Sequence, residues 1–453
     1  MSDSFASWKD GKWLPKSNEE LKKLCDDQID LATIDTSCIT DMSRVFFGSY
    51  RKDYSGIETW DTSHVENFSN MFTEAHFFNA PIGRWDVSSA TDMHGMFSEA
   101  EMFNQPLDSW DVSRVEDMSD MFLGARAFNQ PLGHWNVRSV RDFSGMFSGA
   151  HAFNHPLGDW NTESAETMAH MFEFAVSFDQ PIGGWITAHV VSMSGMFEYA
   201  RSFNHPIGSW DVSAVRDFSW MFHCATRFNQ FIGSWDVSAA EDMSGMFACA
   251  FAFDQHLNDW DTSHVRSFLS MFELCRRFNR PIGDWNTGSA ETMAHMFERT
   301  VAFDQPLHRW NVSRVKDMSH MFFRAMKFNQ PLVSWNVSNV RNMHSMFSGA
   351  QSFNQPIGAW DVSHAKNLSC MFRNTKSFNQ TLDSWDVSRV LDFSEMFAFA
   401  LAFRQPLASW RLAGNARRDR MFHKCPLKSE LWPKGCELLA EQSQADQNVA
   451  ASI

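Results

Sequence analysis

Fifteen tryptophans stand at positions 60, 85, 110, 135, 160, 185, 210, 235, 260, 285, 310, 335, 360, 385 and 410, a spacing of 25 residues without insertion or deletion. A Met-Phe pair keeps the same clock from Met71-Phe72 to Met421-Phe422. A repeat this short cannot bury its apolar residues alone, so successive coils must stack on one another. That overrides the prior from length, which for 453 residues would suggest about three globular domains. Each repeat reads approximately F-N-Q-P-[LI]-G-x-W-[DN]-V-S-x-V-x-D-M-S-x-M-F-x-x-A-x-x. A repeat without Trp, around Ile34 to Phe46, precedes the regular array.

In the repeat from Phe103 to Ala127, the apolar residues Val115, Met118, Met121, Phe122 and Ala125 recur at steps of three and four. That is the stripe of a short amphipathic helix. Ser113 with Glu116 three residues on forms a capping-box pattern, repeated as Ser63/Glu66 and Ser238/Glu241. Phe103 to Leu107 is the extended piece, because Pro106 fixes its own φ and restricts the residue before it. The expectation is an α/β repeat solenoid with one short strand and one short helix per coil. Residues 1–33, with Trp8, Trp13 and a helical stretch from Ser17 to Asp27, read as an N-terminal cap. Residues 34–422 read as about sixteen repeats, and 423–453 as a C-terminal cap and polar tail. Stacked columns of Phe, Leu/Ile, Trp, Val and Met-Phe form the expected core.

The W-D-V-S-x-V-x-D-M-S-x-M-F core resembles the repeat of BspA-type leucine-rich-repeat surface proteins, whose repeats read W-D-T-S-N-V-T-N-M-S-x-M-F. The likeness spans residues 34 to 422. It implies a leucine-rich-repeat-like solenoid, often surface-exposed, used in adhesion or protein binding. Here F-N-Q-P-[LI] replaces the family's leucine-rich strand.

Net charge is −15 and no run of Lys or Arg stands out, which argues against a nucleic-acid surface. Eight dispersed cysteines make no disulfide framework and read as free thiols. The first thirty residues lack a signal-peptide pattern, and no apolar run reaches membrane-spanning length. The resemblance implies a cell-surface or secreted protein, while the sequence leaves a cytoplasmic place open. No phosphate loop, nucleophile elbow or zinc-protease motif is present. His155, His205 and His256 have no Cys or carboxylate at ligand spacing within their own repeats, so they read as exposed polar substitutions. The residue after Trp exchanges between Asp (61, 86, 111) and Asn (136, 161, 286), which suits a turn better than a calcium site. No enzyme activity, cofactor or metal is expected.

The expected function is a non-enzymatic macromolecule-binding repeat protein, adhesin-like or scaffold, with a protein or polysaccharide ligand. The alternative is a structural protein whose uniform face binds a periodic target: a polysaccharide, a surface or itself. Variation between coils concentrates after the Met-Phe pair, which makes Phe174, Tyr199, Phe251, Arg276, Arg277, Arg299 and Phe323 the candidate anchors. The unbroken clock predicts a single elongated body in small-angle scattering. A radius of gyration near the globular value, roughly 22 Å for this length, would contradict it.

Overall fold

The computed structural model describes residues 6–436, and the chain divides into two compact units, Met1–Gln230 and Phe231–Ile453. The polar tail expected at the C-terminus lies outside the described residues.

Within each unit the coils stack in register through single parallel bridges between equivalent residues. In the first unit they link Asp41, Asn67, Asp92, Asp117, Asp142, Thr167, Ser192 and Asp217 in turn. In the second they link Asp242, Ser267, Thr292, Asp317, Asn342, Asn367, Asp392 and Arg417. Each unit is thus a repeat solenoid. Neither the expected helix nor the expected strand placement is found in the coils, and the backbone hydrogen bonds explain both differences.

A helix over Val115 to Ala125 would send each N–H to the carbonyl four residues back. Instead every second N–H leaves the coil: Met118 donates to Asp142 (3.1 Å), Asp120 to Ser144 (2.7 Å), Phe122 to Met146 (2.9 Å) and Gly124 to Ser148 (2.6 Å). The N–H groups between them close turns three residues back, Met121 to Met118, Leu123 to Asp120 and Ala125 to Phe122. That alternation puts Asp120 and Gly124 in the left-handed region, with φ of 55° and 64°. The second unit repeats it at His320 and Arg324, with φ of 57° and 54°. Two left-handed residues four apart cannot belong to one right-handed helix. The bridge therefore falls in the segment expected to be helical, and Phe103 to Leu107 carries none.

The capping box fails for a related reason. The Asp111 carboxylate accepts the Ser113 N–H at 3.0 Å, closing a side-chain turn of its own. Asp117 and Ser119 make the same turn at 2.8 Å, so the D-V-S and D-M-S triplets are two such turns per coil. Asn161 serves the first turn at 3.0 Å, which accounts for the Asp–Asn exchange. At Asp61, Asp86, Asp211, Asp361 and Asp386 the following Ser hydroxyl and N–H hold the carboxyl below its usual range.

The core columns lie where the apolar pattern puts them. Val115, Met118, Met121, Phe122, Ala125, Phe128 and Leu132 are fully buried. Phe97 stacks on Phe122 at 5.5 Å and Trp110 on Trp135 at 6.4 Å, nearly parallel. The Trp column also donates indole N–H groups inward, as Trp135 does to the Leu107 carbonyl at 3.0 Å. A left-handed residue costs about 1–2 kcal/mol and an inter-coil hydrogen bond returns about 0.5–1.5 kcal/mol net. The backbone ladder thus roughly balances its own strain. Burial of the aromatic and Met columns, at about 1.5–3 kcal/mol per large side chain, makes the coil stable.

At the start of the first unit, β1 (Ser7–Lys9) and β2 (Lys12–Leu14) form a hairpin that pairs Trp8 with Trp13. It is followed by α1 (Asn18–Asp26), whose N-cap Ser17 accepts the Glu20 N–H. The Asn18 amide donates to the Asp41 and Ser43 carbonyls at 3.2 and 2.9 Å. Those carbonyls open the stack, where no earlier coil supplies a donor.

Trp260 is 3% exposed, donates to the Ile232 carbonyl and stacks on Trp285 at 6.3 Å. Trp260→Ala should therefore cost about 3–5 kcal/mol through the cavity and the lost transfer energy. Denaturant unfolding measures it, and an unchanged midpoint would contradict the core placement of this column.

Candidate functional site

After Met-Phe the chain passes a half-buried position, a left-handed one, a buried small residue and then two outward positions, as in Leu123, Gly124, Ala125, Arg126 and Ala127. The ladder ties each left-handed N–H to the next coil, so side chains 25 residues apart come side by side. Phe174 donates its N–H to the Glu198 carbonyl, and its ring stacks on Tyr199 at 4.4 Å and 7°. Phe174 is 40% exposed, and the Arg201 guanidinium lies 5.9 Å from the Tyr199 ring. Beneath these rings, His170 Nδ1 lies 3.0 Å from Glu173 Oε2 and His223 Nδ1 2.8 Å from Glu198 Oε1. Burial pushes the His223 imidazole down, but its bonds to Cys224 and Glu198 outweigh that and raise it to about 9. Glu173 likewise raises His170.

In the second unit, the Arg276 guanidinium lies 5.0 Å from the exposed Phe251 ring. Phe323 is half-buried between Arg299 at 5.8 Å and Arg324 at 5.2 Å. Arg277 is exposed on the same turn as Arg276. The structure therefore brings together Phe174 with Tyr199, Phe251 with Arg276, and Arg299 with Phe323. Arg201, Arg324 and the half-buried His170, Glu173, Glu198 and His223 were not among the residues expected from sequence. All of them become visible when the chain is read column by column at a spacing of 25.

The charged positions before each apolar turn also vary in sign and pair between coils: Arg141 with Glu166 and Lys316 with Glu291, both at 2.7 Å. Exposed pairs of this kind are worth about 0.2–1 kcal/mol. The F-N-Q-P face is uniform. Gln130 Nε2 donates to the Asn104 carbonyl (3.2 Å) and Oδ1 (3.0 Å), and Asn104 Oδ1 also accepts the Asn129 N–H at 2.9 Å. The second unit repeats this with Gln355, Asn329 and Asn354.

Next to Phe323, His320 stacks on His295 at 4.5 Å and meets His344 edge-on at 4.8 Å. Its shielded Nδ1 has no hydrogen-bond partner. Burial, then the neighbouring His295 and His344, push His320 down to about 4, against a smaller opposing pull from Glu298 and Asp317. The unfolded chain, with His near 6.5, takes up this proton where the folded chain does not. The stability tied to neutral His320 is thus fully present above pH 6.5 and is lost as pH falls toward about 4. His295, raised by Glu298, acts in the opposite sense, its contribution being lost as pH rises through its folded pKa. His320→Gln should flatten the loss of the second unit's denaturation midpoint between pH 6.5 and 4, and an unchanged slope would contradict this assignment.

A family model described as "Mycoplasma protein of unknown function, DUF285" matches residues 18–131, 103–207, 180–276, 250–355 and 328–431. No curated protein matches the chain. Among solved structures, a leucine rich cell surface protein from Faecalibacterium prausnitzii A2-165 is similar at 10% identity and a TM-score of 0.27, covering 69% of this chain and 79% of that one. The TLR13–ssRNA13 complex is similar at 10% identity and 0.19, covering 87% and 83%. The Toll–Spatzle complex of Drosophila is similar at 13% identity and 0.19, covering 78% and 53%. No helix among the described residues is long and apolar enough to cross a membrane.

Proposed function

The chain belongs to the DUF285 family of Mycoplasma proteins of unknown function, matched in five overlapping segments, and from that premise we propose that it is a non-enzymatic protein-interaction repeat protein. It works as an adhesin or a scaffold and reads a protein partner with the edge after Met-Phe. The BspA-type repeat core supports the adhesin form. The observation that carries the proposal is how differently the two surfaces use their polar groups. On the F-N-Q-P face, the Gln130 amide and Asn104 Oδ1 are engaged in the inter-coil ladder. The edge offers aromatic and Arg groups that differ from coil to coil, with Phe174 and Phe251 exposed. Rigid aromatics and Arg are the side chains that dominate interfaces. The uniformity of the Asn-Gln face favours the second reading, a structural protein that binds a periodic target such as a polysaccharide.

Capture from the native source by wild type and two variants separates these readings. The edge variant carries Phe174→Ala, Tyr199→Ala, Arg276→Glu and Arg277→Glu. The face variant carries Gln130→His, Gln230→His and Gln330→His, a change that natural coils accommodate. His155 Nε2 lies 3.1 Å from the Asn129 carbonyl and His205 Nε2 3.0 Å from that of Asp179, so the ladder contact survives. The edge variant should lose the captured partner at least tenfold while the face variant keeps it. Loss in the face variant alone would overturn the assignment in favour of the periodic target. Labelling of intact cells tells adhesin from scaffold: a surface protein is labelled and an internal one is protected.

A further inference from the structure

We propose that His170, Glu173 and Glu198 form a binding site for one divalent transition-metal cation of the Zn²⁺ class. Their ligand atoms, one imidazole nitrogen and two carboxylate oxygens, all lie within 4.8 Å of one another, and all three side chains are half-buried. Glu173 and Glu198 are equivalent residues of adjacent coils, so the ladder holds two carboxylates face to face. Like charges directly opposite are unfavourable, and a cation between them removes the repulsion. Three further observations point to the same place.

His170 Nδ1 is shielded from solvent, yet it has no properly aligned hydrogen-bond partner, although Glu173 Oε2 lies 3.0 Å away. Once deprotonated, that nitrogen offers its lone pair, so a bound cation would take the place of the proton that Glu173 favours on it. The floor of the site is Gly195, at φ 60°. A Cβ added there would collide with His170 Nδ1 and lie 3.3 Å from Glu198 Oε2, so the absence of a side chain lets two donors from different coils approach each other over the backbone. Finally, His223 Nδ1 sits 2.8 Å from the other oxygen of Glu198, Oε1. It orients the carboxylate and leaves Oε2 on the side of Gly195, the outer-shell arrangement that metal-ligating carboxylates adopt.

The donor set selects the ion. Calcium and magnesium prefer all-oxygen cages, whereas imidazole with carboxylate suits Zn²⁺ and its neighbours. Three protein ligands leave a coordination position open. Phe174 and Tyr199 belong to the same two coils as Glu173 and Glu198, so a bound ion would pin those coils together under the stacked rings. The site stands whether or not the edge binds a protein partner.

Chelator-stripped full-length chain, titrated with Zn²⁺ in competition with a chromophoric chelator, tests the proposal. Wild type should take up one equivalent at this site, and His170→Asn and Glu198→Gln should each weaken it at least tenfold. Uptake by both variants equal to wild type, or no stoichiometric uptake by wild type, would overturn the site. Should either variant fail to fold, X-ray absorption of Zn²⁺-loaded wild type decides instead. One imidazole with oxygen ligands supports the assignment, and sulfur or several imidazoles refutes it.

Discussion

Everything regular in this chain depends on the backbone sending every second N–H of the D-M-S-x-M-F segment out of its own coil. The N–H groups of Met118, Asp120, Phe122 and Gly124 find carbonyls on the next coil, and those between them close tight turns. The donors of one coil and the acceptors of the next must arrive in step, so a residue inserted within that segment would misalign the contacts with both neighbours, whereas the longer step from Asp41 to Asn67 places its extra residue outside the segment and keeps the bridge. From Asn67 onward the 25-residue clock keeps that register. Stacking of the Trp and Phe columns follows from the register, and their burial supplies the stability that a strained ladder alone does not.

How much of this was legible in the sequence depends on the level considered. The core columns were legible residue by residue, because Val115, Met118, Met121, Phe122 and Ala125 are all buried. The backbone path was not. Spacings of three and four bring those residues to one side whether the chain winds as a helix or folds as successive three-residue turns, so apolar periodicity cannot tell them apart. Ser113 and Glu116 look like a capping box in isolation, yet the Asp111 oxygen claims the Ser113 N–H first. A contrary signal was present. Gly95, Gly145, Gly195 and Gly245 would fall in the middle of the expected helix, where each costs about 1 kcal/mol against Ala. At φ near 60° those glycines are favoured instead.

The surface was legible as variation and not as contacts. Phe174 and Tyr199 stand out as aromatic exceptions, but only the ladder says that positions 25 apart are neighbours, and that makes them one stacked pair. The same rule brings together charged side chains that no single repeat holds. Glu173, Glu198 and His223 occupy one column on the clock that the tryptophans keep, and His170 joins them from the preceding turn.

The left-handed columns explain how one scaffold carries both a fixed core and a variable edge. The cost of positive φ falls on the backbone at each such position, and for most side chains it depends little on what is attached. β-branched residues are the exception, since their Cβ crowds the backbone in that region. The column from Glu74 through Phe174, Tyr199, Leu274 and Arg299 to Lys424 therefore holds acidic, basic, aromatic and small residues, but no Val, Ile or Thr. The column from Asn70 through His170, Trp220 and His320 to Arg420 obeys the same restriction. The ladder thus fixes where these side chains stand and leaves their chemistry open. Side chains can change along the edge while the hydrogen bonds that hold the coils remain the same.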